Sequence, residues 1–134
     1  MRFIVALVLF PLLLTLCLSV SCTPAASASS TITASPFLLE QVEKGEWLLL
    51  DVRTPEEFSE GHIPGAINVP HDEIDAYLSS LTPDKDKTVV VYCRSGRRAK
   101  LAIEHLEAQQ FNNVQHLEGD MLGWNEARLP VEKM

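Results

Sequence analysis

The sequence predicts an α/β fold, a parallel β-sheet with helices packed on both of its faces. Two observations carry that reading. The runs "WLLLDVR" (47–53) and "TVVVY" (88–92) are dominated by apolar residues without alternation, which suits strands covered on both sides. Between and after them lie segments with apolar residues at helical spacing, so strand and helix alternate along the chain. With 134 residues the chain can build one domain with a substantial core and is too short for two.

The first segment, "MRFIVALVLFPLLLTLCLSVSC", carries one charge, Arg2, before a long apolar run broken by Pro11 and Thr15. That is the pattern of a secretory signal over residues 1–21, with small residues following for cleavage. An uncleaved membrane helix is the alternative, because residues 3–20 approach the length needed for a bilayer core of ~30 Å. The ending "LSVSC" also resembles a bacterial lipoprotein signal, in which Cys22 is lipidated and becomes the new N-terminus. Ser19 departs from the large aliphatic residue that such signals prefer. The expectation is an exported chain, periplasmic or held by a lipid facing the periplasm. Residues 22–35 are small and polar without periodicity and read as a flexible tether, and the domain is expected over 36–134.

Ser35 and Pro36 supply an N-cap and a favoured first helical residue, and Gly45 stops the helix that they open. After the strand at 47–53, Thr54, Pro55 and Glu57 form a capping box for a short helix that ends at Gly61. "HIPGAINVP" (62–70) contains a Pro-Gly turn and a short strand. Ile74, Leu78 and Leu81 predict a helix over 72–81, and "TPDKDK" is a polar loop. Beyond the strand at 88–92, Ala99, Ala102, Ile103 and Leu106 share one helical face, opposite Lys100, Glu104 and Glu107. "NNVQHLEGD" gives a turn and a last short strand.

Charge narrows the function. The net charge is −7, and every acidic residue lies beyond residue 39. Such a body argues against nucleic acid as the main partner, since phosphate backbones select for excess Lys and Arg. Against this background Arg94, Arg97 and Arg98 are an exception, and they surround Cys93. The other cysteines are Cys17 and Cys22. Signal cleavage removes the first and lipidation blocks the second, which leaves one thiol and no disulfide. An ordinary buried cysteine needs no cations around it.

Ligands in open parallel sheets bind beyond the C-terminal ends of the strands, where Cys93 stands. The helix that follows offers free N–H groups and the positive end of its dipole. Gly96 lets the loop fold back so that successive amides point inward. Amides, dipole and guanidinium groups favour a thiolate and also seat an anionic substrate. Phosphoryl transfer and sulfur transfer both fit this description, and spacing separates them. Cysteine-dependent phosphatases place an arginine six positions after the cysteine, where this chain has Ala99. Arg98 is the last arginine of the loop, so the pocket is expected to be smaller and sulfur-sized. No aspartic general acid is evident beside it.

The sequence resembles the single-domain rhodaneses, a sulfurtransferase family. "LLLDVRTPEEFSEGHIPGAINVP" is similar to the family's N-terminal signature, "VVVYCRSGRRA" to its six-residue active loop, and "LEGDMLGWNEARLPVE" to its C-terminal signature. The resemblance implies a rhodanese-like fold with a central parallel sheet of about five strands. It implies a catalytic Cys93, substrate binding by Arg94, Ser95, Gly96, Arg97 and Arg98, and no metal or organic cofactor. The implied partners are a small anionic sulfur donor, thiosulfate or a persulfide, and a thiophilic acceptor such as cyanide or a thiol. Asp51 and Arg53, at the same sheet end, are expected to support the loop or to form an ion-pair network with Glu57. His62 is expected to fix a turn. The chain departs from the family pattern at Ala99, where a serine often stands, and at Asp120, where a second glycine is frequent. The first departure is expected to remove a helix cap, and neither is expected to touch the nucleophile.

Overall fold

β4 (Thr88–Tyr92) lies at the centre of a five-stranded sheet, and its position explains its composition. Its residues from Val89 onward are buried, because a strand flanked on both edges and covered on both faces has no water-facing side. The computed structural model describes residues 30–134. The expected signal segment, Cys22 and most of the expected tether lie outside these residues.

The sheet comprises β1 (Thr31–Ile32), β2 (Trp47–Asp51), β3 (Ile67–Asn68), β4 and β5 (Val114–Leu117), in the order β1-β5-β4-β2-β3, and every pair is parallel. The helices are α1 (Pro36–Glu43), α2 (Pro55–Glu60), α3 (Ile74–Leu81), α4 (Arg97–Ala108) and α5 (Asp120–Glu126). A single 3-10 turn over Thr82–Asp84 occupies the expected polar loop.

Alternation along the strands divides the core into two layers. Leu50, Val89 and Val91 face α3 and α4, where they meet Ile74, Leu81, Ala102, Ile103 and Leu106. Leu49, Val90, Tyr92 and Leu117 face the other way, against Leu38 of α1 and Met121 and Trp124 of α5. This is the two-faced parallel α/β sheet that the sequence predicts.

Two features differ from expectation. Residues 30–35 are not part of a tether, because Thr31 and Ile32 pair with His116 and Leu117 and make β1 an edge strand. Ser35 occupies the N-cap of α1 but its side chain makes no capping bond. Thr54, by contrast, forms the complete capping box with Glu57 that its spacing predicts.

Order in the sheet places the site. The chain runs from β2 out to β3, then crosses back over β2 to form β4, so strand order reverses between β2 and β4. Their C-terminal ends, Asp51 and Tyr92, are register partners, and this crevice is where ligands of open α/β sheets bind.

Candidate active site

Cys93 follows the last residue of β4 and is 1% exposed. Its Sγ accepts a hydrogen bond from the Gly96 N–H at 3.0 Å. That contact requires the loop to reverse within three residues, and Gly96 does so at φ 110°, a region open to glycine. Gly96 is also the N-cap of α4, so the twelve-residue helix directs its positive end at the sulfur. An amide donor and a helix N-terminus both stabilise a thiolate relative to a thiol. Ala99 lies inside α4 and is fully buried. The expected loss of a cap at Ala99 does not occur, because the cap is three residues earlier.

The arginines divide into two kinds. Arg94 and Arg97 are exposed and form no ion pair among the described residues. Ser95 is exposed as well. Arg98 instead donates to both oxygens of Glu57, at 2.6 and 2.9 Å. The hydrogen bond from Arg98 is the main reason that the Glu57 carboxyl is held down to about 2. Glu57 in turn raises the pKa of Arg98, and Cys93 adds to this. Since the same carboxylate accepts from the Thr54 N–H at 3.1 Å, Glu57 ties the start of α2 to the start of α4.

Asp51 and Arg53 are brought to the same sheet end, but they bond to each other rather than to the loop. Arg53 Nη2 donates to Asp51 at 2.6 Å and to the Gly61 carbonyl at 2.7 Å, and Nε lies 3.0 and 3.1 Å from the Asp51 oxygens. Its guanidinium lies over the Tyr92 ring, 5.7 Å from the centroid. Tyr92 accepts from the Ile63 N–H at 3.1 Å, and burial pushes its phenol pKa upward. This network fixes "GHIPGA" against the sheet. His62, in the same segment, is held separately, stacked on Phe58 at 3.7 Å between centroids and bonded through Nδ1 to the Phe58 carbonyl at 2.9 Å. The pair with Glu57 expected as an alternative is made by Arg98, not by Arg53.

The reverse side of the loop holds what the sequence reading missed. Asp120, 2% exposed, accepts the Cys93 N–H at 2.9 Å. His116 Nε2 lies 3.0 and 2.9 Å from its two oxygens. The hydrogen bond to Asp120 is the main cause of a raised His116 pKa. The departure at Asp120 therefore does touch the nucleophile, through its backbone. An aspartate does stand beside the site, with both oxygens occupied. The legible signal was spacing, since His116 and Asp120 are four apart; their contact with the loop comes from the fold alone. The next two residues contribute as well. Met121 N–H donates to the Cys93 carbonyl at 3.1 Å and Leu122 N–H to the Arg94 carbonyl at 3.2 Å. The first turn of α5 thus satisfies its unpaired donors with the backbone of the loop.

A cavity of about 460 Å³ opens beside Arg94, lined also by Arg53, Glu60, Met121, Leu122 and Lys133. No cluster suited to a metal ion is found among the described residues.

A thiol under an amide donor, at a parallel-sheet switch point, is one arrangement shared by several chemistries. Comparison decides the family. Residues 36–127 match the family described as Rhodanese-like domain. The chain belongs to that family. The rhodanese-like domain is 39% identical over 84 residues to a sulfurtransferase of Allochromatium vinosum, covering 63% of this chain and 77% of that protein. It is 39% identical over 70 residues to the thiosulfate sulfurtransferase PspE of Escherichia coli, covering 52% of this chain and 67% of PspE. Among curated relatives, the matched part is 60% and 42% of the relative's own length in two cases and falls to 24% in another. The crystal structure of a rhodanese-related protein from Thermoplasma volcanium superposes with a TM-score of 0.67 at 31% identity, covering 78% of this chain and 99% of that one. Several of the relatives that the domain matches are named sulfurtransferases.

Proposed function

We propose that this rhodanese-like domain transfers sulfane sulfur from thiosulfate, or a persulfide donor, to a thiophilic acceptor through a persulfide on Cys93. The observation that carries the reading is the Gly96 N–H bonded to Cys93 Sγ at 3.0 Å, at the N-terminus of α4. In the first half-reaction the Cys93 thiolate attacks the outer sulfur of thiosulfate. The sulfur–sulfur bond of the donor breaks, sulfite leaves with the electron pair, and Cys93 keeps the transferred sulfur. In the second, cyanide or a thiolate attacks that sulfur, and the Cys93 thiolate departs. Splitting one transfer into two is the benefit of covalent catalysis. In this reading Arg94 and Arg97, exposed and free of ion pairs among the described residues, attract the sulfonate, while Arg98 acts through Glu57 to hold the loop.

Thiocyanate formation from thiosulfate and cyanide tests this reading. The wild type turns over, Cys93→Ser does not, and the protein recovered after thiosulfate alone is heavier by one sulfur. A wild type that loads sulfur on Cys93 yet makes no thiocyanate overturns the enzyme reading. That outcome favours a sulfur-carrier or protein-binding module, a role in keeping with a matched segment that forms only part of some relatives.

We also infer export, from the apolar N-terminal segment and Cys22. Intact mass of the protein isolated from its native host tests this. A chain beginning at Cys22 and carrying acyl groups supports the lipid-anchored form, a shorter unlipidated chain supports the free periplasmic form, and an unprocessed chain sinks both.

A further inference from the structure

The loop that carries Cys93 rests on a charged pair, and a charge there acts on the thiolate. Asp120 is the buried member, 2% exposed, and His116 is the member nearer to water, with 23% of its side chain exposed. One carboxylate oxygen receives the Cys93 N–H at 2.9 Å. The pair also reaches the far end of the loop. A Cβ built on Gly96 would stand 3.1 Å from Asp120 Oδ2 and 3.3 Å from His116 Cε1. Both ends of the turn that encloses the sulfur therefore reach Asp120, and the Gly96 end reaches His116 as well.

We propose that Asp120 and His116 are positioning residues that hold the Cys93 backbone from behind and set the local charge against which the Cys93 thiolate forms. The proposal rests on Cys93 being the nucleophile. The Cys93 amide, committed to Asp120, is withdrawn from the cradle that faces substrate. The carboxylate opposes a thiolate on the same residue, because like charges in proximity each disfavour the other's ionisation. A protonated imidazole cancels that charge. When His116 loses its proton, the carboxylate stands uncompensated. The pair then couples sulfur nucleophilicity to the protonation of a residue that never touches substrate.

The other charged or titratable groups on the elements around the pair are Tyr92 at the end of β4, Arg94 on the loop, Arg97, Arg98, Lys100, Glu104, His105 and Glu107 on α4, Glu118 directly after β5, and Glu126 at the end of α5. Of all these elements, only Asp120 supplies a charge that moves His116. β1, which pairs with β5 at His116, carries no titratable side chain.

The test is the rate at which iodoacetamide alkylates Cys93 in the full chain, read from the mass of the peptide containing it. His116→Gln keeps a donor for Asp120 and removes the positive charge. It is expected to slow alkylation at neutral pH about three- to tenfold, the effect of one uncompensated nearby charge. Adding Asp120→Asn, which keeps an oxygen for the Cys93 N–H, is expected to restore the rate to within about twofold of wild type. A structural role alone predicts the reverse, with the double variant no faster than His116→Gln. That result overturns the proposal, as does a His116→Gln rate indistinguishable from wild type.

The wild type and Asp120→Asn provide a second comparison if His116→Gln does not fold. The wild-type rate should rise with pH less steeply than one ionisation requires, and in Asp120→Asn the shallow region should move to lower pH, because His116 loses the carboxylate that raises its pKa. Superimposable profiles overturn the proposal. Alkylation needs no sulfur transfer, so a wild type without thiosulfate turnover would sink the proposed function and leave this result standing.

Discussion

Two arginine–carboxylate pairs flank the candidate site, and they differ in reach and in burial. Asp51 and Arg53 are two residues apart, with side chains 0% and 7% exposed. Glu57 and Arg98 are 41 residues apart and about a quarter exposed, at 28% and 25%. Both are two-oxygen contacts of similar length. Their roles diverge because solvent treats them differently. The buried pair is costly to desolvate, adds little net stability as a pair, and is severely destabilising when halved. The quarter-exposed pair adds less energy, but it joins two helix starts that no backbone ladder connects. The first pair protects the end of the sheet, and the second aligns the loop with α2.

The largest expected effect comes from breaking the buried pair on one side. Asp51→Ala leaves Arg53 charged and enclosed, and the expected loss is about 3–5 kcal/mol by chemical denaturation. Replacing both residues with apolar side chains of similar volume should recover most of that loss. If it does not, the pair contributes more than mutual neutralisation.

Glu57→Gln comes next. Solvent screening limits the expected loss to about 1 kcal/mol at neutral pH. Because the Glu57 carboxyl is held down to about 2 from 4.5, its contribution is complete above 4.5 and fades as pH falls through that interval. Urea midpoints measured across the interval should therefore fall less steeply for Glu57→Gln than for wild type. Parallel curves would assign the acid sensitivity to other carboxylates.

Arg98→Lys is the smallest perturbation. A lysine keeps the positive charge near Cys93 but cannot span two carboxylate oxygens. Stability should change by less than about 0.5 kcal/mol, while thiosulfate turnover falls a few-fold as the loop loses its alignment. Turnover at the wild-type level would mean that charge, not the two-point contact with Glu57, is what the loop needs.

Much of this architecture was legible in the sequence, and what was missed has physical causes. β2 and β4 announce themselves because central strands need apolar residues on both faces. The capping box at Thr54 is local and could be read from four residues. β1 could not, since its two residues are defined only by pairing with β5, some 85 positions away. α5 was hidden for another reason: seven residues containing Gly123, directly after Gly119, carry too little periodicity to register as a helix. In the site, Cys93 and the arginines were visible as a cluster. The separation of Arg98 from Arg94 and Arg97 was not, because Glu57 approaches only in the folded chain. Asp120 was recognised as a departure from the family pattern, and the reading that it leaves the nucleophile alone was wrong. A contact through a backbone N–H leaves no mark in the identity of the residue that donates it.

The first amides of α5 hold the carbonyls of Cys93 and Arg94, and β5 must be in place before β1 can join the sheet. A ribosome delivers this chain from its N-terminus. The nucleophile and its arginines therefore emerge well before the residues that brace them. Until Asp120, Met121 and Leu122 arrive, Cys93 lacks its rear supports.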